Sequence, residues 1–355
     1  MSVYLKEFST HSEYEAYIAS EGKVLPNVSI CTTESDVHYN PWVETRVVAK
    51  FNVTDTSNPI RIASGTSNIE SIEIDGVTQP SVTTGYTFET TGEHIVKYTF
   101  INPKKIAGKT FPYCGDNLIE VQIPDIVESI EYYAFFNDYG LTKVTMPKNL
   151  LNIGYYAFAS CNLESVEIPD GTKSIGDWAF NFCDSLTSVT IPDSVTSIGK
   201  CVFEYCSGLT SCTIGSGLTS IGREDFAYCY GLSELTIKEG VETIGQNSFS
   251  YCTGLTSINI PDSVTSIEMY AFGNCKSATN LSIGSGVTSI GDGAFRNCSG
   301  LTSATITAVN PPTLGTDTFT STNNCPIYVP SGSVDAYKAA SGWSDYASRI
   351  QAIIE

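Results

Sequence analysis

The chain is short of charge. Only 16% of its 355 residues are Asp, Glu, Lys or Arg, and Ser, Thr and Gly fill the space they leave. Such a composition suits many short strands and turns better than long surface helices. Basic residues are the scarcer sign: 19 Lys and Arg stand against 38 Asp and Glu, a formal charge of -19. Backbone phosphates and anionic membrane surfaces would be repelled, which argues against nucleic acid as a partner. No apolar run approaches the roughly 18–20 residues that span a bilayer, so no membrane insertion is expected. The start, MSVYLKEFSTHSEYEAY, lacks the basic and then apolar stretches of a secretory signal.

Catalytic constellations are missing too. The three histidines, His11, His38 and His94, all precede residue 95, and none has a nucleophile in a recognisable motif. There is no phosphate-binding glycine loop, no paired-carboxylate signature and no zinc spacing. The expectation is therefore a protein that is not an enzyme and that holds neither cofactor nor metal.

What is present is a repeat. Units of 23 residues, with one of 22, begin at Leu118, Leu141, Leu163, Leu186, Leu209, Leu232 and Leu255. Ala278 starts an eighth, and residues 95–117 form a degenerate first copy. Two positions never vary across the eight full units. One is Ile130, Ile153, Ile175, Ile198, Ile221, Ile244, Ile267 and Ile290. The other is Phe135, Phe158, Phe180, Phe203, Phe226, Phe249, Phe272 and Phe295. Chance does not produce that register.

In the copy at 186–208, Leu186, Val189 and Ile191 are expected to point one way from a short strand that Pro192 ends. Val195 and Ile198 follow on a second extended piece, and Gly199 turns the chain. A single helical turn then brings Phe203 and Cys206 to the core. One unit cannot bury these groups alone, so copies must stack at the strand spacing of about 4.7–4.9 Å and share a continuous core. The fold class is a repeat solenoid, mainly β with short helical or 3-10 turns.

The rest of the chain frames it. Residues 1–41 read as an arm, with a short helix at Phe8 to Ser20 and then an extended stretch. This arm either packs on the next domain or docks onto a larger assembly. Residues 42–101 carry VVAKFNV, IESIEI, GYTFET and HIVKYTF, which alternate in the strand manner and form a small all-β, sandwich-like domain over the first coil. The solenoid occupies 102–306. Residues 307–355 close it with a strand at Ile327–Val329 and an amphipathic helix from Ser333 to Ser348.

Eight of the twelve cysteines share one repeat position: Cys114, Cys161, Cys183, Cys206, Cys229, Cys252, Cys275 and Cys298. A column at solenoid spacing does not converge on an ion. Side chains in register also point in parallel, which is poor bridge geometry. A ladder of buried free thiols acting as small hydrophobes is expected, with Asp138 interrupting it. No role is read for Cys31, Cys201, Cys212 and Cys325.

Aromatic residues gather in two columns. Tyr132, Tyr133, Tyr155, Tyr156 and Trp178 open the turn in the first three full units. Phe182, Tyr205, Tyr228 and Tyr251 run beside the cysteines. Either both columns merely cover the core, or they form an adhesive patch able to stack on sugar rings or pack against protein. The outward positions of the strands, such as Ser188, Thr190, Ser211 and Thr213, are mostly small hydroxyls and read as a solvated face.

The unit L-x-x-V-x-IP-x-x-V-x-x-IG-x-x-AF-x-x-C resembles the BspA-like leucine-rich repeats, a class of bacterial surface proteins, over residues 95–306. The segment 42–101 is similar to the small domain found before such repeats, and CPIYVPSGSVDAYKAASGWSDYASRI to a terminal cap of the family. EFSTHSEYEAYIAS and LPNVSICTTESDVHYNP resemble an N-terminal segment of virion proteins from phages of gut bacteria. These resemblances imply a non-enzymatic recognition or adhesion protein, on a virion or at an extracellular cell surface. Its partners would be a protein or glycan on a cell surface, and other virion proteins through residues 1–41. A bacterial adhesin and a structural spacer without a ligand stand as alternatives.

Overall fold

The structure, a computed structural model, describes residues 46–354. The expected arm with its helix, together with His11, Cys31 and His38, lies outside these residues.

Strands β1 (Val47–Val53), β2 (Ile60–Arg61), β3 (Ile69–Ile74), β4 (Val77–Thr78), β5 (Gly85–Tyr86) and β6 (Gly92–Phe100) form first. Of GYTFET only the first two residues are strand. In β1 the alternation is strict, and Val47, Ala49, Phe51 and Val53 are all buried. Asp75 and Gly76 join β3 to β4 with φ of 47° and 84°. Left-handed backbone at both positions of a two-residue turn matches the twist of the strands it joins. His94, on β6, is held by Asp75 at 2.7 Å, which gives it a structural place.

β7 (Lys105–Ile106), β8 (Leu118–Gln122), β9 (Ser129–Ile130) and β10 (Lys143–Thr145) begin the coils. β1 pairs antiparallel with β6 on one side and with β8 on the other, and β8 pairs parallel with β10. A single sheet, in the order β10-β8-β1-β6-β3-β4, therefore runs from the N-terminal strands into the solenoid. Lys50 on β1 and Lys143 on β10 reach Glu120 on β8 at 3.3 and 2.9 Å. Lys143, more than Lys50, holds that carboxyl below its ordinary range, although burial opposes them.

Each later coil repeats a strand such as Ser188–Ile191 and a second, two-residue strand such as Ser197–Ile198. The first pairs in parallel register with the next coil, at Ser211–Ile214, and the second with the coil before, at Ser174–Ile175. The first ladder is interrupted after the 22-residue unit that starts at Leu141. Residues 163–168 form no regular strand, and an open cavity of about 390 Å³ lies between Val166, Ile168 and Val189. The second ladder crosses the same short unit in register, with Asn152 opposite Ser174, and the first ladder breaks once more between Glu234–Ile237 and Ser257–Ile260. Lys238 bridges to Asp193, two coils away, at 2.9 Å.

The expected helical turn is not helical. Each coil instead returns through two residues with positive φ, four positions apart, flanking the invariant Phe: Cys201 at 57° and Tyr205 at 61° around Phe203. The amides of Cys201, Phe203 and Tyr205 donate to the carbonyls of Arg223, Asp225 and Ala227 on the next coil, at 2.8–2.9 Å. The intervening amides close tight turns within the coil, as Cys206 does on Phe203 at 3.2 Å. The return segment is thus a third hydrogen-bonded ladder, and this satisfies backbone that would otherwise be buried without partners.

Inside, ten rings stack from Phe111 through Phe135, Phe158, Phe180, Phe203, Phe226, Phe249, Phe272 and Phe295 to Phe319. Their centroids are 5.0–5.8 Å apart and their planes within 15°. Tyr98 closes one end edge-on at 4.9 Å, and Trp343 the other, tilted, at 5.9 Å. The C-terminal cover differs from the single helix expected: a helix spans only Val334–Ala339, and a 3-10 segment Trp343–Arg349 follows. Gly342, with φ of 79°, breaks the run. A strand missed by the sequence reading, Ile350–Ala352, adds to Ile327–Val329. Buried Tyr337 and Trp343 anchor this cover by donating to the carbonyls of Ala308 and Pro312, at 2.8 and 2.7 Å. Among the described residues no helix is long and apolar enough to cross a membrane.

The eleven described cysteines are free and buried. The column is more than a set of small hydrophobes, because each thiol from Cys161 to Cys298 donates to the carbonyl of the Phe one coil back. The Cys206 thiol meets the Phe180 carbonyl at 3.2 Å, and Cys161 meets that of Phe135 at 3.0 Å. Asp138 replaces a thiol and accepts from the Cys114 amide at 2.7 Å. Burial pushes its carboxyl well up. Under non-reducing conditions these eleven thiols are expected to react with a thiol reagent only after unfolding. A titration that finds fewer after denaturation would disprove the free-thiol column.

A second acid sits at a position that holds Ala in most coils. Asp225 is wholly buried, and its carboxylate accepts from the amides of Gly222 at 2.6 Å and Val202 at 3.4 Å. In neighbouring coils that glycine amide donates to the preceding Ile carbonyl, as Gly199 does to Ile175 and Gly245 to Ile221. Asp225 captures the donor. The second ladder accordingly stops between Ser197–Ile198 and Ser220–Ile221, and Ile198 is only half-buried. Burial raises the Asp225 carboxyl from 3.8 to about 8. The folded chain thus keeps a proton that the unfolded chain releases near pH 3.8, so this contribution is complete below that pH and lost as pH rises to about 8. The stability difference between Asp225→Ala and the parent is expected to shift toward the variant by a few kcal/mol, on the order of 1.4 per pH unit, between pH 4 and 8. Denaturant titrations across pH test this, and a pH-independent difference would count against it.

Candidate functional site

Seven of the nine aromatic residues singled out in the sequence stand where left-handed backbone turns the side chain outward; Tyr132 and Tyr155 do not. Tyr133, Tyr156 and Trp178 occupy the first positive-φ position of their coils, with φ of 52–54°. Phe182, Tyr205, Tyr228 and Tyr251 occupy the second, at 57–62°. Left-handed backbone is costly for a residue with a Cβ, by about 1–2 kcal/mol. Here the ladder between coils holds it in place. The inward position between them carries the buried Phe, so both columns rise on one face of the solenoid.

The first column is closed at both ends. Tyr133 stacks on Tyr156, and Tyr156 on Trp178, each at 5.1 Å and 6°. The Lys109 ammonium lies 6.0 Å from the Tyr133 ring, and that of Lys200 lies 4.8 Å from the Trp178 ring. A cation over a ring face is favourable, and it denies that face to a ligand. Tyr132 and Tyr155 stand outside the stack and meet it edge-on, Tyr155 at 4.4 Å from Tyr156 and 5.5 Å from Trp178. Phe136, which the sequence reading passed over, fills the space behind, 5.0 Å from Tyr133 and 5.6 Å from both Tyr156 and Tyr113. Tyr113, Phe136 and the five predicted residues form one band. For Tyr113 the signal was available, since it holds the turn position of Phe182 and Tyr205, whereas the position of Phe136 is not aromatic in any other coil.

The second column is a stack of its own: Phe182 on Tyr205 at 4.6 Å, Tyr205 on Tyr228 at 4.5 Å, and Tyr228 on Tyr251 at 5.0 Å. Within a stack each ring covers its neighbour, so only edges and hydroxyls reach solvent. Sugar stacking is therefore confined to the ends. Among the described residues no ring or cation stacks on the outer face of Phe182 or of Tyr251. Each end opens on a cavity, of about 340 Å³ beside Phe182 and about 350 Å³ beside Tyr251.

Between the columns runs a groove whose floor is Ala159, Asn181, Glu204, Ala227, Ser250 and Gly273, with Phe136 and Arg296 at its two ends. Where aromatic residues give out in the first column, Cys201 and Glu224 take their place. Ligand atoms of Cys201, Glu204 and Glu224 lie within 4.8 Å of one another, the one such trio among the described residues. Cys201, read without a role in the sequence, thus has the only groove-side thiol of that trio. Its partners are supplied by protein: Asn181 donates to Glu204 at 3.2 Å, and Asn247 and Arg223 donate to Glu224 at 3.3 and 3.0 Å. Burial and the neighbouring carboxylates push the Cys201 thiol up, so it stays protonated against Glu224 at 3.5 Å. Burial and the Glu224 charge raise the Glu204 carboxyl. The trio satisfies itself by hydrogen bonds.

The sheet face offers less. Its side chains alternate, as in Ser188, Thr190, Ser211 and Thr213, between exposed and half-exposed small hydroxyls. Such a face lacks the large rigid side chains that dominate binding energy.

The description "BspA type Leucine rich repeat region" matches residues 104–233 and 219–338, in six copies. Among solved structures, a leucine-rich repeat protein from Bacteroides ovatus is similar at 28% identity and a TM-score of 0.52. The match covers 56% of this chain and 51% of that one, so this chain spans about half the length of its relative. A leucine-rich repeat protein from T. pallidum is 30% identical over 42% of this chain and 71% of its own, with a TM-score of 0.40. No curated protein matches the chain.

Proposed function

Because this chain belongs to the BspA-type leucine-rich-repeat family, we propose that it is a non-enzymatic recognition protein whose turn face makes the contact. The observation that carries the reading is the aromatic band on the first coils. Of its members, Tyr113, Tyr132 and Tyr155 are 54%, 50% and 39% exposed. Their edge-to-face packing leaves ring faces open and fixes them at little entropic cost. Tyrosine and tryptophan so arranged have the composition of a binding hot spot. Contiguous exposed aromatic surface of this kind marks interaction sites in soluble proteins.

In this proposal the protein is displayed at a surface and the solenoid points toward a protein or glycan on a cell. Residues 1–41 attach it to a larger assembly, and their resemblance to virion proteins supports a phage particle as that assembly. The turn face differs from the sheet face in having anchors, so recognition is assigned to the turn face. A spacer without a ligand would have no use for unburied aromatic groups in three successive coils.

A whole-cell binding assay tests this reading. Tyr132→Ala combined with Tyr155→Ala is expected to weaken binding at least tenfold while leaving the melting curve unchanged, since both residues lie outside the core. Unchanged binding would remove the band as the contact. A chain lacking residues 1–41 is expected to keep cell binding and to lose particle attachment, and retained attachment would end the docking-arm proposal.

A further inference from the structure

The C-terminal end of the second column carries a site distinct from the band. We propose that the cavity beyond Tyr251 binds the terminal sugar of a neutral oligosaccharide. The inference rests on the turn face being a recognition surface, but it names another place on that face and a ligand class.

Tyr251 is the last ring of its stack. One face lies on Tyr228 at 5.0 Å, and the next coil offers Asn274 where another ring would continue the column. The residue is 39% exposed and lines a cavity of about 350 Å³. That volume falls in the lower part of the range, roughly 300–1,000 Å³, for small-molecule sites. Tyr270 forms the opposite wall. Its ring lies against Gly293, where a Cβ would come within 2.4 Å of a ring carbon, so only glycine allows that position of the wall.

The cavity runs back along the groove to Tyr228 and Glu224, and amides, the Ser250 hydroxyl and the Glu224 carboxylate, which accepts from Asn247 at 3.3 Å, supply its polar groups. Asn247, Asn274 and Asn297 line the cavity with Arg296 at its far side. Asn297 donates to the Asn274 carbonyl at 3.0 Å. Among the described residues neither the Asn274 amide nitrogen nor the Asn297 amide oxygen has a side-chain partner, and both residues line the cavity. Planar amides that offer both a donor and an acceptor suit vicinal hydroxyls. An open aromatic face suits the C–H face of a pyranose.

Other ligands fit less well. The Arg296 charge is taken by Asp317 at 3.2 Å, and the chain carries a net charge of -19, so an anionic ligand gains little. An extended peptide cannot add to the ladder here, because the amides of Asn247, Phe249 and Tyr251 already donate to Met269, Ala271 and Gly273.

The test is a printed array of neutral oligosaccharides ending in galactose, mannose, glucose, fucose or N-acetylhexosamine, with sialylated counterparts beside them. The full chain is expected to bind neutral spots. Tyr251→Ala and Asn274→Ala should each weaken that binding at least tenfold, and Tyr155→Ala should leave it unchanged. Should Tyr251→Ala lower the melting temperature, Asn274→Ala and Asn297→Ala, which lie off the ring stack, decide the matter. A blank array, binding confined to sialylated spots, or binding that survives loss of both Tyr251 and Asn274 overturns the proposal. Loss with Tyr155→Ala alone also overturns it, and leaves the aromatic-band reading standing.

Discussion

A ring stacked on a ring at every coil, with centroids 5.0–5.8 Å apart and planes within 15°, dictates how this molecule is built. Strands pair at about 4.7–4.9 Å, and aromatic rings prefer an offset to a full sandwich. A column of Phe at one position reconciles the two spacings when each ring slides slightly over its neighbour. Once the column is set, leucine, isoleucine and thiol columns follow, because each coil has the same cross-section. The ends follow too. A stack has two open faces, and Tyr98 and Trp343 exist in this architecture to cover them.

The same stacking governs the surface. Inward Phe residues sit between two positions of left-handed backbone, and whatever side chain stands there projects from the turn face. Identical side chains in successive coils then stack and hide each other's faces, as Tyr205 and Tyr228 do at 4.5 Å and 2°. Repetition therefore makes a smooth wall, and departures from repetition make sites. Tyr132 and Tyr155 stand off the column, Tyr251 ends one, and Cys201 and Glu224 break another. Recognition belongs to irregularities because a regular column has nothing left to offer a ligand.

Much of the interior was legible from residue identity, because the invariant Ile and Phe can recur at fixed spacing only if coils stack. The strands VVAKFNV and IESIEI were legible from period-two alternation for the same kind of reason. The turn was not. Its left-handed residues include Tyr, Trp, Cys, Glu and Asn, and only at Gly293 is one a glycine, so the usual mark of positive φ is missing from nearly every coil, and hydrogen bonding between coils overrides local preference. The thiols read as plain hydrophobes because a bond to a carbonyl one coil back leaves no trace in spacing. Asp225 belongs to no motif of the sequence. Its effect on the ladder depends on reaching the Gly222 amide three residues earlier, at 2.6 Å, a distance that composition cannot express. Of the candidate surface, the aromatic columns were visible as columns. Which faces remain open depends on Lys109, Lys200 and Asn274, whose bearing on the rings appears only in three dimensions.

The placement of β1 in the middle of its sheet bears on how the molecule would carry mechanical load. The described chain enters at Arg46 and passes at once into a strand paired on both sides, with β6 and with β8. A pull along that strand shears two ladders together and draws on Lys50 and its bridge to Glu120 at 3.3 Å. The last strand, Ile350–Ala352, is paired on one side only and can peel one bond at a time. A tether fixed at the N-terminus would therefore grip the molecule where it resists force best, and leave the weakly held end free.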